Sequence, residues 1–156
     1  MTTKVLSASV LDFDKDAEVK KITTRLREIV GKELHRRGLV VAISGGIDSS
    51  VSVALAVKAL GPNKVFGLLL PERDSSSKSS ARGRLLAEHL GIEYELHDIA
   101  ATLEAIGCYR WRDEAIKKTF PEYAAGWKNK IVIAGGSEGR MNFFKLVVQS
   151  PDGKTQ

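Results

Sequence analysis

Apolar positions recur along this chain at helical and strand periods in turn, and the alternation predicts its elements. Val19, Ile22, Leu26, Ile29, Val30 and Leu34 fall on one helical face, with Lys, Arg and Glu on the other, so a helix is expected from about Asp16 to Arg37. Gly38 is the expected stop. Leu39 to Ile43 is apolar at every position, the pattern of a strand buried on both faces, as in parallel sheets. A second apolar run, from about Asp48 to Leu60, reads as a helix ended by Gly61-Pro62. Lys64 to Leu70 reads as a strand closed by Pro71. Ser77 to Leu90 reads as a helix ended by Gly91, and Ile92 to His97 as a third strand. Ile99 to Ile106 and Arg112 to Phe120 are helical in pattern.

Strand and helix thus alternate three times with short connections. That order predicts an α/β fold, a parallel sheet with right-handed crossovers and helices on both faces. The last third differs. Lys130 to Ala134 and Asn142 to Gln149 are β-like runs joined by a glycine-rich turn, which predicts an antiparallel hairpin. Ser150-Pro151-Asp152-Gly153 is a strong turn signal that calls for a returning strand. Only three residues follow it, too few for one, so the chain is expected to be part of something longer. The expected organisation is one domain over 1–156, with an N-terminal helix at 14–37, an α/β core at 38–127 and a hairpin extension at 128–156.

Composition narrows the class. The chain has 156 residues, 43% hydrophobic and 28% charged, enough for a core in a soluble domain. No apolar run is long enough to span a bilayer, and residues 1–16 lack a leader-peptide pattern. The lone cysteine, Cys108, excludes an internal disulfide and a cysteine-based zinc cluster. A cytoplasmic location is expected. A net charge of +5 favours anionic partners, but the basic residues are scattered, which disfavours nucleic acid and points to a phosphate-bearing ligand. His35, His89 and His97 show no metal or triad spacing.

The candidate chemistry lies between the first strand and the second helix, where the chain reads SGGIDSS from Ser44 to Ser50. In an open parallel sheet, ligands bind at the carboxyl ends of the strands. Gly45 and Gly46 remove the side chains that would hold a phosphate away from the backbone, so N–H groups of Gly45, Gly46 and Ile47 can converge on it. The helix N-terminus adds free N–H donors and a positive dipole end. Ser44, Ser49 and Ser50 add hydroxyls. The loop is neither the P-loop, which ends in Gly-Lys-Ser/Thr, nor the dinucleotide fingerprint, whose third glycine falls where Ser49 stands. Asp48 is the informative residue. A carboxylate beside phosphates calls for a cation, and Mg²⁺ is held by one or two carboxylates plus phosphate oxygens. The alternative role for Asp48 is helix capping.

SGGIDS resembles the SGGxDS loop of the N-type ATP pyrophosphatases, which cleave ATP between the α and β phosphates. LLLPERDSS (Leu68 to Ser76) and AEHLGIEYELHDIAATLEAIGCY (Ala87 to Tyr109) resemble the matching segments of ammonia-dependent NAD synthetases, over roughly residues 25 to 156. The resemblance implies an adenine nucleotide alpha hydrolase-like fold, and ATP contacts at Ala42, Ile43, Ser44, Gly45, Gly46, Ile47, Asp48 and Ser49. It adds Arg73 and Ser75 near the nucleotide and Asp48 as the Mg²⁺ ligand. It implies a ligase: the carboxylate of deamido-NAD attacks the α-phosphate of ATP, and ammonia then displaces AMP to leave the amide. It also implies a homodimer, with further ATP, metal and deamido-NAD contacts from a second half of the family that is not visible in this sequence. The chain alone is therefore expected to make little NAD. Two other readings keep the loop: an ATP pyrophosphatase acting on tRNA or a sugar acid, and a nucleotide-binding module without chemistry of its own.

Overall fold

The structure, a computed structural model, describes residues 12–134 and 143–156. Residues 1–11, and with them most of the leader-peptide reading, lie outside the described residues, as do the expected glycine-rich turn at 135–141 and Asn142, the first residue of the second expected strand. The chain divides into two compact units, one reaching to Ala100 and one spanning Ala101–Gln156.

The first unit opens with α1 (Lys15–Glu28), whose N-cap Asp14 accepts the Ala17 N–H at 3.0 Å. The helix does not run to Arg37. It widens into a π turn over Ile29–Glu33, and His35 then adopts a left-handed φ of 49°. The Leu34 N–H reaches back to the Ile29 carbonyl at 2.8 Å and the Arg36 N–H to that of Val30 at 2.7 Å. Gly38 is therefore not the stop. A Cβ on it would lie 2.4 Å from the Lys64 carbonyl oxygen, so glycine there permits the close approach of two chain segments.

Three parallel strands follow: β1 (Leu39–Ala42), β2 (Val65–Leu69) and β3 (Glu93–Leu96), in spatial order β1-β2-β3. Leu39 pairs with Val65 and Phe66 with Glu93. Between them run α2 (Ile47–Leu60) and α3 (Ser77–Leu90). Successive right-handed crossovers in one direction put both helices on one face. That face holds the core: Ile43, Val53, Ala56, Val65, Leu69, Ala87 and Ile92, all buried. The expected parallel α/β sheet is therefore present, and within this unit its two crossover helices share a face. The opposite face carries Val40, Phe66, Leu68, Glu93 and Glu95. β1 alternates instead of being buried on both sides, and Val40 is 64% exposed. As the first strand of the order, β1 has a neighbour on one edge only.

The second unit holds α4, which begins at the boundary (Ala100–Ala105), then α5 (Cys108–Lys117), β4 (Lys128–Ala134) and β5 (Phe143–Gln149). The two strands form the expected antiparallel hairpin, from Lys128 opposite Gln149 to Ala134 opposite Phe143. Ile116, Tyr123 and Val148 make its core, flanked by Phe120, Trp127 and Leu146. Tyr123 and Trp127 meet edge to face with centroids 6.0 Å apart, and Asn129 donates to the Tyr123 hydroxyl at 2.8 Å. Cys108 is half-buried at the start of α5. Beyond the hairpin the turn at Ser150 does return, contrary to expectation. Gly153, at a φ of 90°, donates to the Ser150 carbonyl at 2.9 Å, and Val148 and Gln156 exchange two backbone hydrogen bonds at 3.0 Å. Two or three residues suffice because one bonded pair closes the turn.

Candidate nucleotide site

The loop leaves β1 held to β2 by the Ile43 N–H, which donates to the Leu68 carbonyl at 2.8 Å. Ser44 then starts a serine network. Its N–H donates to Ser49 Oγ at 3.2 Å, the two hydroxyls lie 3.0 Å apart, and Ser49 Oγ donates to the Gly46 carbonyl at 3.1 Å. Ser50 Oγ donates to the same carbonyl at 2.7 Å, and the Gly46 N–H donates to Ser44 Oγ at 3.3 Å. The hydroxyls thus fold the loop over the first turn of α2.

The two glycines differ. Gly45 has a φ of 76°, and a Cβ on it would lie 2.3 Å from the Ser79 carbonyl oxygen in α3. It is glycine because loop and helix backbones meet there. Gly46 is the N-cap of α2, in extended conformation, and its nearest obstacle is Ser44 Oγ at 3.4 Å. Only at Gly46 is the space over the loop itself what an added side chain would occupy.

Asp48 stands two residues beyond that cap. No side chain caps α2, so the capping alternative for Asp48 is excluded. Its carboxylate is exposed and has no hydrogen bond or ion pair among the described residues; only its carbonyl is engaged, by Ser52 Oγ at 2.8 Å. A free carboxylate in the first turn of a helix is favoured by the dipole and available to a cation. Among the described residues no group of three His, Cys, Asp or Glu side chains is placed to hold a metal. One carboxylate fits a magnesium ion that brings its remaining ligands on nucleotide phosphates and water.

Beside this loop a cavity of about 240 Å³ opens at the carboxyl ends of β1 and β2. Of the candidate residues Ala42, Ile43, Ser44 and Ser75 line it. Gly45, Gly46, Ile47, Asp48 and Ser49 form the adjoining loop and helix start, with Ile47 76% exposed. Arg73 does not line the cavity; its guanidinium lies 3.6 Å from Asp74. Ser75 is held in its turn, accepting the Glu72 N–H at 3.0 Å. Sequence reasoning missed Ser79 and Ser80, which line the cavity from the first turn of α3. Ser76 caps that helix, accepting the Ser79 N–H at 3.2 Å. Two helix N-termini therefore border one cavity, and the signal for the second was the SSSKSS run, whose serines follow a strand end as SGGIDSS does.

A family model described as NAD synthase matches residues 18–124, more than half of the chain. The chain belongs to the NAD synthase family. Curated relatives extend the match. The NH(3)-dependent NAD(+) synthetase of Rhizobium meliloti is 50% identical over 151 residues, 96% of this chain and 45% of that protein. The protein of the same description from Mesorhizobium japonicum is 49% identical over 146 residues, 93% of this chain and 46% of that protein. The chain thus spans about half the length of these relatives. Among solved structures, the NH3-dependent NAD synthetase from Campylobacter jejuni in complex with the nitrate ion superposes with a TM-score of 0.58 at 25% identity. It covers 70% of this chain and 50% of that one. The NMN synthetase from Francisella tularensis gives 0.56 at 28% identity, over 65% of this chain and 41% of that one.

Proposed function

We propose that this chain carries the ATP-binding part of an ammonia-dependent NAD synthetase, a ligase that adenylates the carboxylate of deamido-NAD and gives the adenylate to ammonia, releasing pyrophosphate and AMP. The observation that carries this reading is the unpartnered Asp48 carboxylate on a glycine loop beside a cavity at the strand ends, in a member of the NAD synthase family. The Ile47 N–H and the other free N–H groups of the α2 N-terminus would hold phosphate oxygens, with Ser44 and Ser49 holding the loop in place. Ala42, Ile43 and Ser75 would line the nucleoside side. Asp48 would hold Mg²⁺, which offsets charge as it builds on the phosphoryl oxygens. No residue need become covalent.

The assay uses ATP, Mg²⁺, ammonia and deamido-NAD, with the corresponding mononucleotide as a second acceptor because a structural neighbour is an NMN synthetase. AMP and amide forming together on deamido-NAD support the proposal; AMP release on tRNA or a sugar acid instead would overturn it. The described residues supply one free carboxylate at the loop, and the chain spans about half the length of its relatives, so this chain alone should turn over far below about 1 per second, while still binding ATP. Asp48→Asn should weaken ATP binding about tenfold or more with Mg²⁺ present and hardly at all without it. Calorimetry in both conditions reads the difference. Among the described residues no helix is long and apolar enough to cross a membrane. A cytoplasmic homodimer belongs to the same proposal, and sedimentation tests the dimer.

A further inference from the structure

At the opposite end of the strands lies a second opening, a cavity of about 640 Å³ whose lining includes Arg27, Arg36, Arg37 and Lys64. Among the described residues no carboxylate lines it. We propose that this groove binds a small phosphate-bearing anion, pyrophosphate or a phosphomonoester, independently of the nucleotide loop.

The carboxyl end of α2 accounts for one of the four cations. Arg27 donates to the Ala59 carbonyl at 3.2 Å and to Thr24 Oγ1 at 3.3 Å, which satisfies the negative end of that helix. Arg36, Arg37 and Lys64 have no acidic partner among the described residues. The acids nearest in sequence are taken: Glu33 lies 2.5 Å from Arg25, and Glu28 lies 3.5 Å from the same guanidinium. Cations gathered around one cavity repel one another unless an anion enters. Arginine's planar fork matches phosphate oxygens.

The backbone serves the same opening. The π turn over Ile29–Glu33 and the left-handed His35 bring Arg36 and Arg37 back beside Lys64. Gly31 sits in that π turn, lines the cavity and has nothing within 4 Å of where a Cβ would stand. Glycine inside a helix is disfavoured relative to alanine, and among the described residues no packing neighbour requires it here; what its missing side chain leaves is space in the groove. The volume falls in the range of small-ligand sites, about 300–1,000 Å³, and four cations around a hollow fit a compact anion better than a strand of nucleic acid, which needs an extended stripe. An adjoining cavity shares Arg37, Asn63 and Lys64 but adds Glu93, so the anion belongs in the first.

The test is titration of the full chain with pyrophosphate and with AMP, followed by backbone amide NMR in a Gly46→Val background that closes the nucleotide loop. Shifts at Gly31, Arg36, Arg37 and Asn63 are expected, and whichever ligand produces them at lower concentration is the better match to the groove. Arg36→Ser with Arg37→Ser should weaken this binding at least about tenfold. Gly31→Leu fills the hollow without changing any charge and should weaken it as well. All three positions are exposed, so the fold should survive, and thermal melting checks this. Shifts confined to residues 44–50, or unchanged affinity in Gly31→Leu, would overturn the proposal. So would a single-stranded oligonucleotide of about 20 nucleotides that displaces pyrophosphate and shifts the same amides more strongly.

Discussion

Gly45 and Gly46 are adjacent, alike in sequence, and separated by their surroundings. From SGGIDSS alone both are expected to clear space for phosphates, and a valine at either to abolish nucleotide binding with the fold intact. The Ser79 carbonyl, 2.3 Å from a Cβ on Gly45, changes that for one of them. Gly45→Val combines a backbone clash with a left-handed φ and should cost several kcal/mol of stability, on the order of 2–4. Gly46→Val, at an N-cap with no backbone close by, should cost about 1 kcal/mol or less and still lose ATP binding. Urea unfolding and calorimetry on the two variants give opposite rankings if this is right. A Gly46→Val protein that binds ATP normally would place the cradle elsewhere. The contact with Ser79 was not legible because it joins residues from different elements. The demand of Asp48 for a cation was legible, because a carboxylate beside a glycine-rich phosphate loop calls for one; that Gly46 rather than Asp48 stands at the cap was not.

Elements were legible where burial decides and poorly legible where chain ends or edges do. The order of strands and helices follows from periodicity, and α3 runs from Ser77 to Leu90 as its pattern predicts. α1 fails after Glu28 because a π turn leaves the hydrophobic period almost unchanged while releasing the helix. β1 reads as doubly buried because Val40 is apolar, yet among the described residues its side chain is left exposed. Val40→Ala should therefore be nearly neutral, whereas Val53→Ala, at a site with 0% exposure, should cost about 2 kcal/mol or more. Ser76→Ala removes the side-chain cap of α3 and should cost about 1 kcal/mol. Chemical denaturation of the three variants checks all of these, and a Val40→Ala cost equal to that of Val53→Ala would show that the second face is covered.

For the whole molecule, the two units have separate cores: Val53 and Leu69 belong to one, Val148 and Tyr123 to the other. Unfolding should then depart from two-state behaviour. Val53→Ala should lower one thermal transition and Val148→Ala the other, read by calorimetry; a single transition moved equally by both would mean one cooperative body. The division near Ala100 has no Gly- or Pro-rich linker to mark it, since it falls where the short connection after β3 runs directly into α4. It is set by which apolar faces meet, and a sequence read in order does not contain that.

Each ladder of the parallel sheet joins strands consecutive in the chain, Leu39 with Val65 and Phe66 with Glu93, across the one helix between them. Loop closure is therefore short for a parallel sheet, and each new strand adds to an edge already formed. Synthesis on a ribosome proceeds in the same direction. The glycine loop and the lining of its cavity lie within the residues through Ser80, so under the proposed function a nascent chain would meet its nucleotide while the hairpin is still being made, and the ligand would then act as a chaperone for the sheet that holds it.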